Sequence, residues 1–122
     1  MQFLKNRVNA FGYALSGLVQ AFKQETHLKI MGGVGLLVVG LARYCGLTKH
    51  EWLAVLGCIA LVICLELLNS AIEKLCDRLL PDIDPKVKYI KDVAAGAVLV
   101  ASIFSLITGI LIFLPYALAL FN

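Results

Sequence analysis

Apolar residues recur at Leu4, Val8, Phe11, Leu15, Leu18 and Phe22, in steps of four and three. That spacing is the stripe of an amphipathic helix and predicts one from about Phe3 to Glu25. Lys5, Asn9, Ser16, Gln20 and Lys23 fall on its other faces. A helix with this division, next to apolar spans, lies naturally in the plane of a membrane interface. The pattern then changes from a stripe to continuous apolarity. Ile30 to Ala42 carries no charge and contains Gly32, Gly33, Gly35 and Gly40. Lys29 and Arg43 bound this stretch, and their long stems can snorkel, so it approaches the roughly 20 residues that a bilayer requires. The glycines predict close helix–helix approach.

A short connection follows. Thr48 and Glu51 stand at the spacing of a capping box, and Trp52 lies where an interface aromatic belongs. Capping and solvation account for His50 and Glu51. The fourteen residues from Trp52 to Leu65 are uncharged, after which Glu66, Asn69, Glu73 and Asp77 interrupt the span. Pro81-Asp82-Ile83-Asp84-Pro85 predicts a helix break and a loop. The last segment has no charge after Asp92 and is a further span. The expected architecture is all-α and integral to the membrane. It comprises one domain over 1–122, with a surface helix at about 1–26 and spans at 28–46, 52–77 and 88–119.

Composition agrees with this reading. Of the 122 residues, 61% are hydrophobic, and the mean hydropathy is +0.89. A soluble domain of this size is nearer half apolar and buries a low fraction of its surface, so the excess must face lipid. The net charge of +3 is too mild for a nucleic-acid binder, and no basic run or aromatic–basic interleaving supports one. The four cysteines lack ligand spacing and read as small buried hydrophobes. Nine of the eleven basic residues are Lys5, Arg7, Lys23, Lys29, Lys74, Arg78, Lys86, Lys88 and Lys91; the other two are Arg43 and Lys49. The nine place the N-terminus and the second loop in the cytoplasm and the C-terminus outside.

At about 100° per residue, Glu66, Asn69, Glu73 and Asp77 lie within an arc of about 80°, over roughly 16 Å of helix. An ionisable group within a span costs at least about 2.5–3.5 kcal/mol. Packing alone, with Lys74, Arg78, Lys88 or Lys91 as partners, is the alternative, but three acids and an amide on one face exceed what packing requires. The row also has a depth gradient. Glu73 and Asp77, near the cytoplasmic surface, can reach aqueous solutes and hard cations, and Mg²⁺ takes one or two carboxylates plus substrate phosphates. Lys91 and Asp92 lie at the mouth of the last span, where a lysine can neutralise phosphate oxygens. Glu25 supplies another carboxylate at that level. The deep Glu66 can meet a lipid head group and take a proton from its hydroxyl. A metal–nucleotide site facing a lipid site is the layout of a lipid kinase, and it must work without a P-loop, because the chain contains none. A proton-coupled transporter or channel subunit built around Glu66 is the competing class. Three features favour the kinase. The acids reach one aqueous side only, they cluster with Lys91-Asp92, and nothing polar is expected to continue across the outer half of the spans.

Glu66-Leu-Leu-Asn69-Ser70-Ala71-Ile72-Glu73-Lys-Leu-Cys-Asp77 resembles the signature E-x-x-N-[ST]-A-[IV]-E-x-x-x-D of the prokaryotic integral membrane diacylglycerol kinase family, which includes undecaprenol kinases. Lys91-Asp92-Val-Ala-Ala-Gly resembles its second motif, and Gly12-Tyr13, Gly17-Leu18 and Glu25 resemble its N-terminal part. The resemblance implies a homotrimer of three-span subunits in the bacterial cytoplasmic membrane. It implies transfer of the γ-phosphate of MgATP to a lipid hydroxyl, yielding phosphatidic acid or undecaprenyl phosphate. By position it makes Glu66 the base and Asn69 its organiser, with Glu25 and Glu73 as metal-binding carboxylates. Tyr13, Glu25, Glu73, Asp77, Asp82, Asp84, Lys91 and Asp92 become nucleotide-side residues. The family's N-terminal basic position aligns with Asn6, so Arg7 beside it is the substrate-side candidate. A neighbouring subunit is expected to complete the site, because Glu25 and Glu66 sit on elements that need not meet within one chain.

Overall fold

The computed structural model describes residues 1–79 and 84–122. Pro81 and Asp82, part of the expected loop, lie outside the described residues. Those described form four helices and no strand: α1 (Gln2–Gln24), α2 (Thr26–Cys45), α3 (Lys49–Leu79) and α4 (Pro85–Leu120). The last three are long and apolar enough to cross a membrane. At 1.5 Å per residue, α3 and α4 extend about 46 and 54 Å, beyond the roughly 30 Å of a hydrocarbon core. Both begin three residues before the expected span, because their starts are set by caps and not by the edge of the apolar run. Thr48 N–H donates to Glu51 Oε1 (3.0 Å), and Glu51 N–H donates to Thr48 Oγ1 (3.3 Å). This is a reciprocal capping box. At α4, Asp84 is the N-cap, Pro85 stands at the first helical position, and Asp84 Oδ1 accepts from Lys86 N–H at 2.9 Å.

α1 and α2 are joined by Glu25 alone. Its extended backbone (φ −97°, ψ 116°) makes it the C-cap of one helix and the N-cap of the next. The chain therefore turns sharply at a carboxylate. α2 ends on Gly46 with φ 69°, the left-handed C-cap conformation that glycine adopts without a Cβ penalty.

α3 is the central element and packs against α2 and α4, while α1 packs against α2. Two of the four α2 glycines mark close approach. A Cβ on Gly35 would lie 3.2 Å from Ile59 Cγ2 of α3, and one on Gly32 would lie 3.2 Å from Phe22 of α1. Gly33 and Gly40 have nothing within 4 Å, so the expectation of close packing applies to half of the set. At the α2–α3 turn, Ala42, Leu47 and Val55 form a buried cluster against Trp52, Phe113 and Tyr116. Large apolar side chains elsewhere point outward, among them Leu36, Leu37, Val100 and Leu111. No residue of α1 is buried. Outward apolar surface on this scale suits lipid or neighbouring subunits, not water.

The cysteines are all free thiols, but only Cys58 and Cys76 are buried; Cys45 is intermediate and Cys64 exposed. In a span, an exposed position faces apolar surroundings, so the small-hydrophobe role survives without burial in the protein.

Candidate active site

Among the described residues, the buried polar side chains are Glu66, Asn69 and Ser70, all in one turn of α3 and all no more than 7% exposed. The helix itself creates this cluster. Spacings of three and four put Glu66, Asn69 and Glu73 on one face, which α3 presents to the α1–α2 elbow. Asn69 Nδ2 donates to Glu73 Oε1 at 3.4 Å, while Asn69 Oδ1 is buried with no partner. Glu66 lies within electrostatic reach of Glu25, His27 and Glu73. Glu25 and Glu66 thus share one electrostatic neighbourhood within a single chain. The elbow at Glu25 is what the sequence reading missed: it brings the end of α1 to Lys74 on the last turns of α3.

The outer edge of the cluster is ionic. Lys74 Nζ lies 3.0 Å from Glu25 Oε1 and donates to Gln24 Oε1 at 2.7 Å. Lys91 of α4 pairs with Asp77 of α3, and Lys91 also lies within electrostatic reach of Glu73. Lys88 pairs with Asp92 one turn along α4. The packing alternative thus accounts for contacts of Asp77 and Asp92. It does not account for Glu66 or Glu73, which have no ion-pair partner among the described residues.

Other expected residues lie elsewhere. Tyr13 is exposed on α1. Arg7 stacks over Phe3 at 5.0 Å within the same helix. Asp84 is engaged as the α4 cap. Sequence reasoning named Lys74 only as a packing partner of the acids and missed its contact with Glu25, and it missed Gln24 and His27, because these roles depend on the elbow.

No group of three or more His, Cys, Asp or Glu side chains is arranged to hold a metal among the described residues. Two carboxylates plus an unpartnered amide oxygen are nevertheless an all-oxygen donor set. That set suits a hard cation whose remaining ligands are water and substrate phosphate. By donor chemistry Glu25, Glu73 and Asn69 are oxygen ligands of the kind Mg²⁺ takes, too few for a closed protein cage.

Polar groups also continue beyond the acids, contrary to expectation. An apolar cleft of about 640 Å³ between α2, α3 and α4 is lined by Ile59, Ile63 and Phe113 together with Ser102, Ser105 and Thr108. The three hydroxyl residues are uncharged, and Ser105 Oγ is buried without a partner. Among the described residues, no Asp, Glu, His, Lys or Arg lies beside them in the cleft lining.

The sequence matches the model of the prokaryotic diacylglycerol kinase family over residues 12–113. The chain belongs to that family. Its relatives bear this out. It is 34% identical over 106 residues to the undecaprenol kinase of Bacillus subtilis, covering 87% of this chain and 86% of that one. It is 32% identical over 101 residues to the diacylglycerol kinase of Escherichia coli K12, covering 83% of each. With the diacylglycerol kinase of Haemophilus influenzae it shares 37% identity over 76 residues, 62% of this chain and 64% of that one. Family membership and three apolar helices make the chain a multi-pass bacterial membrane protein and a lipid kinase. The matched segment contains the whole of the α3 row, Glu25, Lys91 and Asp92.

Proposed function

We propose that the chain transfers the γ-phosphate of MgATP to the hydroxyl of a lipid alcohol, diacylglycerol or undecaprenol, at the Glu66–Glu73 face. The observation that carries this is the buried Glu66, without a cation partner among the described residues, one turn below Asn69 and two below the solvent-side Glu73. Counting from Trp52 as the outer interface residue, Glu66 lies about 21 Å in and Glu73 about 31 Å in. In a core of roughly 30 Å, Glu73 sits at the cytoplasmic edge and Glu66 about 9 Å beneath it. An uncharged lipid alcohol can bring its hydroxyl to that level from the membrane side, and the nucleotide meets it from the aqueous side by its terminal phosphate, with base and ribose left near the surface.

The roles follow from depth. Glu66 takes the hydroxyl proton as the lipid oxygen attacks the γ-phosphorus, and the bond to the ADP oxygen breaks. Asn69, next to Glu66 on the helix face and bonded to Glu73, organises the base and steadies the second carboxylate. Glu25 and Glu73 hold Mg²⁺, which when bound offsets charge on the phosphate oxygens. Lys91, anchored by Asp77, and Asp92 face the nucleotide, joined by Tyr13, Asp82 and Asp84. Arg7 serves the lipid side from α1, which lies in the cytoplasmic interface. The distribution of basic residues supports a cytoplasmic N-terminus and second loop with an external C-terminus. The outward apolar surface of the spans supports assembly as a homotrimer.

Purified protein in micelles, given labelled ATP, Mg²⁺ and either diacylglycerol or undecaprenol, is expected to phosphorylate one of the two. No labelled lipid with either alcohol would exclude this function.

A further inference from the structure

Lys74 follows Glu73 in the row but points to a different partner. Its ammonium lies 3.0 Å from Glu25 Oε1 and 2.7 Å from Gln24 Oε1. Two of its three donors are thus spent on the residues that form the α1–α2 elbow. Among the described residues, these are the polar side-chain contacts between α3 and that elbow. A lysine ammonium is a compact point charge, so it occupies a carboxylate much as a small cation does. Here it occupies the carboxylate assigned above to Mg²⁺, and the present inference rests on that assignment.

We propose that Lys74 is a built-in counter-cation for Glu25. It holds the elbow against α3 while no divalent ion is bound, and it yields the carboxylate as the metal–nucleotide complex loads. The exposure of the pair makes this exchange feasible. Lys74 is 56% exposed and Glu25 24%, so the contact is solvent-screened and weak enough for a divalent ion to displace. The same contact keeps the Glu25 carboxylate from standing uncompensated near Glu66, whose charge it feels. Lys74 is a positioning residue in this scheme: it touches neither substrate nor the reacting atoms, and it sets how much metal the site requires.

The test is metal binding, read without turnover. Purified protein in micelles, with a non-hydrolysable ATP analogue, is titrated with Mn²⁺, and the free ion is measured by electron paramagnetic resonance. Lys74→Met is expected to bind Mn²⁺ about two- to fivefold more tightly than the natural protein, the range released by removing a screened ion pair. Lys74→Arg, which keeps the charge, is expected to match the natural protein. Arg78→Met removes an exposed cation one turn further along α3 and is expected to leave the affinity unchanged. Unchanged or weaker binding in Lys74→Met would overturn the proposal, as would equal tightening in Arg78→Met. Glu25→Gln separates the two levels of inference. If it weakens Mn²⁺ binding while Lys74→Met has no effect, only the counter-cation role fails. If it leaves binding intact, the metal assignment of Glu25 fails and the proposal with it.

Discussion

Lys91 at the start of α4 forms an ion pair with Asp77 near the end of α3, fourteen residues earlier in the chain. The pair spans the break between the two helices, with the ammonium within electrostatic reach of Glu73. In the proposed mechanism Asp77 acts on the nucleotide side through Lys91. Lys91→Met should raise the KM for MgATP on the order of tenfold, the scale of one charge-assisted hydrogen bond to phosphate. Asp77→Asn should raise it less, because the lysine remains but loses its anchor. Steady-state kinetics with ATP as the varied substrate checks both, and a larger effect from Asp77→Asn would reverse the assignment.

Glu66 and Glu73 occupy one face but different depths, which predicts separable defects. Glu66→Gln should lower turnover by about 10²–10⁴, the usual worth of a positioned base, while nucleotide binding survives. Raising the pH should not restore it, because an amide cannot take the proton. Glu73→Gln should instead weaken metal–nucleotide binding. Binding measured calorimetrically beside turnover decides the matter; equal loss of binding in both variants would contradict the depth assignment.

Much of this site was legible in the chain itself. The row Glu66, Asn69, Glu73 and Asp77 needs only helical periodicity to share a face, and the Thr48–Glu51 box is a local pattern that the structure repeats bond for bond. The elbow was not legible. Glu25 is one extended residue between two helices, and no periodicity announces the direction of the turn. Lys74 with Gln24, and Tyr116 with Glu51, are partners 50 and 65 residues apart, set by how helices pack and not by spacing. Glycine shows the same limit. Its presence in α2 signals close approach, but only the packed structure separates Gly32 and Gly35 from Gly33 and Gly40.

That separation is itself testable. A Cβ on Gly35 would press on Ile59 at 3.2 Å, a distance at which the neighbour must yield. Gly35→Val should destabilise the protein by about 1–3 kcal/mol, as overpacking does. Ile59→Ala in the same chain should recover part of the loss by vacating the space. Gly40→Ala, with nothing within 4 Å, should be neutral or slightly stabilising, since alanine favours the helix. Unfolding by SDS in mixed micelles measures all three, and a penalty at Gly40 equal to that at Gly35 would refute the packing argument.

The far end of the bundle should be separable from the chemistry. Tyr116 Oη donates to Glu51 Oε1 at 2.7 Å, and the same oxygen accepts from Thr48 N–H at 3.0 Å. One carboxylate therefore caps α3 and ties it to the last turns of α4, about 22 Å along the helix from Glu66. Tyr116→Phe removes the tie and leaves the cap, so it should lower the midpoint of thermal unfolding by about a few degrees. Glu51→Ala removes both and should lower it further. The double variant should resemble Glu51→Ala alone, because the tyrosine hydroxyl has then lost its acceptor. Turnover and the KM for ATP, measured well below the midpoint, should match the natural protein in Tyr116→Phe. A tenfold fall in turnover with unchanged stability would mean that the outer clamp is coupled to Glu66, and that the depth gradient does not confine the reaction to the cytoplasmic end.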